Sequence, residues 1–108
     1  MKIYYINKEK SRNYRCRDKD ETIKMFNEGH FTLVADALYD DSALEDVYKA
    51  MQNLDKPWDT NPDVLSYAPS IEYTRSMSVG DVVCKGDGIN KKYFKVASCG
   101  FERLHGID

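Results

Sequence analysis

Residues 42–54 read SALEDVYKAMQNL and form the clearest pattern in the chain. Ser42 and Glu45 have the spacing of a capping box, in which the two side chains bond the backbone at the start of a helix. Apolar side chains then recur at helical spacing along one stripe: Leu44, Val47, Tyr48, Met51 and Leu54. The pattern predicts a helix of about 12 residues that ends near Asn53. Because so short a helix is marginal alone, we expect its stripe to lie on a sheet.

The segments around this helix predict the remaining elements of the fold. Asp18–Glu28 reads as a second helix that Gly29 ends, and residues 13–17 are a weak strand candidate. Five better strand candidates show partial alternation of apolar and polar residues: Lys2–Ile6, Phe31–Tyr39, Ser78–Cys84, Tyr93–Ala97 and Cys99–Leu104. Strands and helices do not alternate strictly. The sequence therefore predicts an α+β fold, with a mostly antiparallel sheet of four to five strands and two helices packed on one face.

Composition places residues 1–108 in a single globular domain. Hydrophobic residues make up 42% of the 108 and charged residues 31%, with a mean hydropathy of −0.65. This size allows one core, and no apolar run is long enough to cross a membrane. Lys2 and Lys8 interrupt the first apolar stretch too early for a signal peptide. We therefore expect a cytoplasmic protein with no membrane partner.

The three cysteines are Cys16, Cys84 and Cys99, an odd number without the spacing of zinc ligands. We expect free thiols, buried or half-buried, in a reducing compartment. The sequence predicts neither a metal site nor a cofactor.

Charge is distributed unevenly along the chain, although its net charge is only −2. Residues 31–72 hold two basic against nine acidic residues, a net charge of −7, whereas residues 1–30 carry +3 and residues 73–108 carry +2. The acidic segment either faces a basic partner or is a solvated helix face with an acidic loop.

Residues 55–72 read as a loop of about 18 residues, because three prolines fall within them. A connection of this length is more often functional than a short one. Its aromatic residues either staple the loop to the core or form a recognition surface. The second interpretation gives a candidate partner-binding set: Trp58, Asp59, Asp63, Tyr67 and Arg75.

Two other sets of residues suggest alternative functions. The first alternative is a nucleic-acid or nucleotide binding module, because basic and aromatic residues together are typical of strands that stack bases. The residues of this set are Arg75, Lys91, Lys92 and Tyr93. The overall charge disfavours it, because nucleic-acid binders usually show a basic footprint. A small cysteine-dependent hydrolase built on Cys99 and His105 is the second alternative.

The run Arg75-Ser76-Met77-Ser78-Val79-Gly80-Asp81-Val82-Val83 has two interpretations. In the first it shapes the fold: Asp81 accepts backbone N–H bonds and closes a turn, and Arg75 pairs with Asp81 or with an acid of the helix at 44–54. In the second the same side chains face a ligand.

The pieces of this run, R-S-x-S-V-G-D-V, resemble YodL-like domains, which are small proteins of bacteriophages and mobile elements. Leu44-Glu45-Asp46-Val47-Tyr48, Lys56-Pro57-Trp58 and Gly100-Phe101 occur around the run in the order of that family, so the resemblance covers about residues 33–104. It implies an accessory protein that acts inside a bacterial host cell, and it brings no catalytic residues. We therefore expect a non-enzymatic protein that binds a host protein, and family analogy extends this to inhibition of a defence or host-control system.

Overall fold

The computed structural model describes residues 1–14, 18–39 and 44–107. The strands within these ranges are β1 (Lys2–Ile6), β2 (Phe31–Ala37), β3 (Val64–Ser66), β4 (Val82–Lys85), β5 (Lys92–Val96) and β6 (Phe101–Leu104). The α-helices are α1 (Lys19–Asn27) and α2 (Leu44–Ala50). Short 3-10 helices cover Lys8–Asn13, Trp58–Thr60, Ile71–Tyr73 and Gly88–Asn90.

The six strands form one antiparallel sheet in the order β3-β2-β1-β4-β5-β6. The α+β class is thereby confirmed, but the sheet has six strands rather than four to five. The additional strand is β3, which lies inside the segment 55–72 whose prolines predict a loop. It covers only three residues, and a run that short carries too little alternation to be recognised.

The core face of the sheet is the side toward which β1 directs Ile3 and Tyr5, both fully buried. Val47 and Met51, from α2 and the residue after it, pack on this side and are also fully buried. Trp58 fills the same layer from the 3-10 helix that follows. The predicted placement of the stripe of α2 on a sheet is therefore correct.

The α1 face is the opposite side, toward which β1 directs Tyr4. The Tyr4 ring lies 5.0 Å from the ring of Phe26 in α1, and the Phe26 ring lies 5.3 Å from that of Tyr93 in β5. The two α-helices thus pack on opposite faces, and the prediction of both on one face is wrong. Because both faces of the sheet carry large apolar side chains, the stripe of a helix does not determine which face it covers.

Helix α1 begins and ends where the sequence predicts. Asp18 is its N-cap, and the Asp18 carboxylate accepts a hydrogen bond from the backbone N–H of Asp20 at 3.0 Å. Gly29 follows the helix with a φ of +82°, the left-handed conformation that ends many helices. Of the strand candidate before α1, Asn13 ends a 3-10 helix, and residues 15–17, with Cys16, lie outside the described residues.

Helix α2 covers seven residues and is shorter than predicted. Its expected cap, Ser42, lies outside the described residues. The chain after α2 turns to bond the segment before β4: the backbone N–H of Met77 donates to the carbonyl of Met51 at 3.0 Å, and the Gln52 side-chain amide donates to the carbonyl of Met77 at 3.0 Å. Leu54, the last residue of the predicted stripe, is consequently 78% exposed.

Met51→Ala is expected to lower the free energy of unfolding by about 2–4 kcal/mol, because the Met51 side chain is fully buried in the core. Urea denaturation of both proteins measures the difference. Lys49→Ala, at an exposed position of α2, serves as the control and should change the free energy by less than about 0.5 kcal/mol. Equal effects of the two substitutions would contradict this placement of the helix.

Candidate functional site

The run 75–81 is closed by an ion pair. The Arg75 guanidinium donates two parallel hydrogen bonds to the Asp81 carboxylate, both at 2.8 Å. Asp81 is fully buried, and it also accepts a hydrogen bond from the backbone N–H of Ser78 at 2.8 Å. The structure therefore confirms the predicted pairing of Arg75 with Asp81 and the predicted turn that Asp81 closes.

The main chain of Arg75 ties this run to the core. Its carbonyl accepts hydrogen bonds from the Tyr5 hydroxyl at 2.9 Å and from the indole N–H of Trp58 at 2.8 Å. The guanidinium carbon lies 4.0 Å from the centroid of the Tyr5 ring, a cation–π contact. These contacts supply the polar partners that two buried aromatic side chains need. Of the two interpretations of the run, its role in shaping the fold is thus accounted for by direct contacts.

Burial and pairing shift the pKa values of Arg75 and Asp81 in opposite directions. Burial raises the pKa of the Asp81 carboxyl above its ordinary value, and the Arg75 guanidinium and the Ser78 amide oppose that rise. Burial lowers the pKa of Arg75, but the neighbouring Asp81 and Tyr5 outweigh it, so the pKa of Arg75 is raised. The carboxyl consequently depends on Arg75 for the stability of its charged form.

A cleft of about 530 Å³ lies beside the ion pair, between the first 3-10 helix and the run 75–81. Its charged lining residues are paired: Lys8 bonds Glu72, and Arg75 bonds Asp81. The Tyr14 hydroxyl donates to the carbonyl of Gly80 at 2.6 Å. With its charges compensated within the protein, the cleft shows no selectivity for a charged ligand.

Trp58 is 1% exposed and belongs to the core. Its ring lies edge-on to that of Tyr5, with centroids 6.4 Å apart, and its indole N–H bonds Arg75 as described. The prediction of Trp58 as a surface anchor is therefore wrong, and the alternative, that it staples the segment to the core, is correct. A tryptophan with a buried partner for its N–H has no need to remain at the surface.

One exposed part of the acidic segment lies at the β3 edge of the sheet. In the register of β1, β2 and β3, Lys2, Asp36 and Leu65 are neighbours, so Leu65 points to the α1 face. Tyr67 follows two residues later, and its backbone N–H still bonds β2 at the carbonyl of Val34, at 2.8 Å. Helix α1 packs over β1, β5 and β6, and leaves the side chains of this edge accessible.

Three large apolar side chains are exposed here: Leu38 by 56%, Leu65 by 47% and Tyr67 by 49%. The backbone N–H of Leu38 donates to the carbonyl of Asp63 at 2.8 Å, which brings Leu38 beside the start of β3. We call Leu38, Asp63, Leu65 and Tyr67 the edge patch. Sequence reasoning identified Asp63 and Tyr67 but missed the two leucines, because Leu38 lies just after β2 and Leu65 lies in a strand too short to show alternation.

The other partner-binding candidates lie outside the edge patch. Asp59 is exposed on the 3-10 helix that contacts β3. Arg75 lies over Tyr5 on the core face, on the other side of the sheet. The structure therefore brings together Asp63 and Tyr67, places Asp59 nearby, and separates Arg75 from them.

The residues of the nucleic-acid alternative are not assembled into one site. Arg75 bonds Asp81, whose carbonyl accepts from the backbone N–H of Val96 at the far end of β5. Lys92, at the start of that strand, lies four residues away, about 13 Å. The ring of Tyr93 packs on Phe26 rather than standing free. The set predicted from sequence is therefore wrong as a single site.

The residues of the hydrolase alternative are also separated. Cys99 precedes β6 and His105 follows it, so the four-residue strand holds them about 13 Å or more apart. Cys99 is exposed, contrary to expectation, whereas Cys84 is buried as expected, and both thiols are free. Within residues 1–14, 18–39 and 44–107, no three His, Cys, Asp or Glu side chains are grouped as metal ligands. None of the described helices has the length and apolar character needed to span a bilayer.

Comparison with known proteins gives no match to this chain among family models, curated proteins or solved structures. The resemblance to YodL-like domains stays a prediction from the motif.

Proposed function

We propose that this chain is a non-enzymatic accessory protein of a bacteriophage or mobile element, and that it binds a protein of the bacterial host through the edge patch. The observation that carries this proposal is the gathering of exposed Leu38, Leu65 and Tyr67 at one edge of the sheet. Exposed apolar side chains that adjoin one another are typical of interaction sites. Single exposed residues elsewhere on the surface need no such explanation.

The chemistry of the edge patch favours a partner that has a basic surface with an apolar centre. Asp63 belongs to the edge patch and forms no ion pair among the described residues, whereas Asp36, beside the patch in the register of β2, is bonded to Lys2 and to the N-terminal ammonium group. The segment 31–72, which includes both, carries a net charge of −7. Such a field steers a basic partner toward the apolar contacts, so association should slow as salt is added.

The biological setting belongs to the proposal as well. The R-S-x-S-V-G-D-V run supports an origin in phages or mobile elements, and such proteins act inside the host cell. Inhibition of a host defence or control system is the role that fits a small protein with a binding surface and no assembled catalytic residues among those described. It is supported by analogy with the family.

Leu65→Ala/Tyr67→Ala is expected to weaken partner binding at least about tenfold, because a few anchor side chains carry most of the energy of an interface. The measurement is capture from host lysate on immobilised protein, followed by titration of the captured protein. Both side chains are half-exposed, so the melting temperature should change little.

Leu54→Ala/Ile89→Ala is the matched control, because it removes two exposed apolar side chains outside the edge patch. It should capture the same protein with the affinity of the wild type. If the edge-patch variant remains folded and retains full affinity, the edge patch is not the interface.

A further inference from the structure

Four basic residues lie at one end of the hairpin formed by β5 and β6. Lys91 and Lys92 stand at the start of β5, and Arg103 and His105 stand at the end of β6. Because the two strands are antiparallel neighbours, these positions lie side by side. We call the four residues the basic corner. A cavity of about 410 Å³ lies there, lined by Lys91, Arg103 and His105 among others.

The basic corner has no acidic counterpart among the described residues. Within that part of the chain, none of its four members forms an ion pair, and no acidic side chain lines the cavity. The cleft beside the run 75–81 differs, because both of its cations are bonded to carboxylates. The charge of the basic corner is therefore available to an anion from outside.

The edge patch is too distant to cancel this charge. The edge patch lies at β3 and the basic corner at β6, which are opposite edges of a six-stranded sheet. At about 4.8 Å between strands, the two edges are separated by roughly 24 Å. The Debye length at physiological salt is about 8 Å. A net charge of −2 for the chain thus does not prevent anion binding at this corner.

Arg103 is held in a position that suits a phosphate. Its guanidinium carbon lies 5.8 Å from the centroid of the Phe94 ring, a cation–π contact. The Arg103 side chain is also exposed, and guanidinium groups bind phosphate oxygens through paired hydrogen bonds. Lys91 and Lys92 are exposed and add positive charge on the neighbouring strand.

We propose that the basic corner binds phosphate groups, carried by a single nucleic-acid strand or by a nucleotide. This adds a second ligand to the proposed function, at the edge of the sheet opposite the edge patch. It also differs from the set predicted from sequence, since Arg103 and His105 replace Arg75 and Tyr93.

Binding of a labelled single-stranded oligonucleotide of about 20 nucleotides, measured by fluorescence anisotropy near pH 7, tests the proposal. The affinity of the wild type should fall with salt with a log–log slope of about −2, as expected for three phosphate contacts to a single strand. Lys91→Glu/Lys92→Glu should lower the affinity at least about tenfold at low salt.

Lys49→Glu/Lys56→Glu is the control, because it changes two exposed lysines of the acidic segment and takes the net charge from −2 to the same −6. It should alter the affinity by less than about twofold. Competition by ATP would identify a nucleotide as the source of the phosphate, and failure of ATP to compete would identify the strand. Absence of binding to both probes at about 50 mM salt, or equal weakening by the two lysine variants, overturns the proposal.

Discussion

Trp58→Ala is expected to lower the free energy of unfolding by about 3–5 kcal/mol. The substitution removes the largest fully buried side chain of the core, and with it the indole N–H that bonds the carbonyl of Arg75. The loss includes both the burial of apolar surface and the cost of a cavity beside the neighbouring Tyr5. Urea denaturation followed by circular dichroism measures it, since the variant lacks the tryptophan fluorophore.

Trp58→Phe separates the two contributions. It keeps most of the apolar volume but loses the N–H donor, so it should cost less than the alanine substitution. A Trp58→Ala protein that unfolds at the wild-type midpoint and yet fails to bind its partner would contradict the buried placement. That result would restore Trp58 as a surface anchor.

Arg75→Met is expected to cost about 3–5 kcal/mol near pH 7, because it leaves the buried carboxyl of Asp81 without its ion-pair partner. Burial already raises the pKa of Asp81, and removing Arg75 removes the main influence that opposes the rise. When the pKa of a carboxyl is higher in the folded than in the unfolded state, its protonation favours the folded state. This contribution is complete below the unfolded-state pKa, and it is lost as the pH rises through the folded-state pKa. The deficit of the variant relative to the wild type should therefore shrink as the pH is lowered from 7 toward 4.

Arg75→Met/Asp81→Leu provides the double-mutant control. With both charges removed, no buried carboxyl remains unpaired, so the double variant should be more stable than Arg75→Met alone and should lose its pH dependence. If Arg75→Met unfolds at the wild-type midpoint at every pH, the ion pair contributes nothing to the fold.

Sequence patterns correctly predicted the features that depend only on residues close to one another in the chain. The limits of α1 follow from Asp18 and Gly29, whose roles depend on the backbone of a few neighbours. The turn closed by Asp81 follows in the same way from Gly80 and the spacing to Arg75. These features need no knowledge of the remaining chain.

The features that escaped prediction depend on distant partners. Trp58 is buried because Tyr5 and Arg75 meet it from other parts of the chain, and composition cannot distinguish this from an exposed anchor. The edge patch exists because β3 adds to β2, and a three-residue strand is recognisable only when its neighbour is known. The opposite placement of the two α-helices likewise depends on which face of the sheet is already covered.

The central position of β1 has a consequence for synthesis of the protein. Ile3 pairs with Ala35 on one side and with Val83 on the other. At 5–20 residues per second, the ribosome needs about 4–16 s to make the 80 residues that separate Ile3 from Val83. During that interval β1 presents an open edge, which is a template for pairing with other chains. Slow codons between β3 and β4 should therefore increase aggregation of newly made protein.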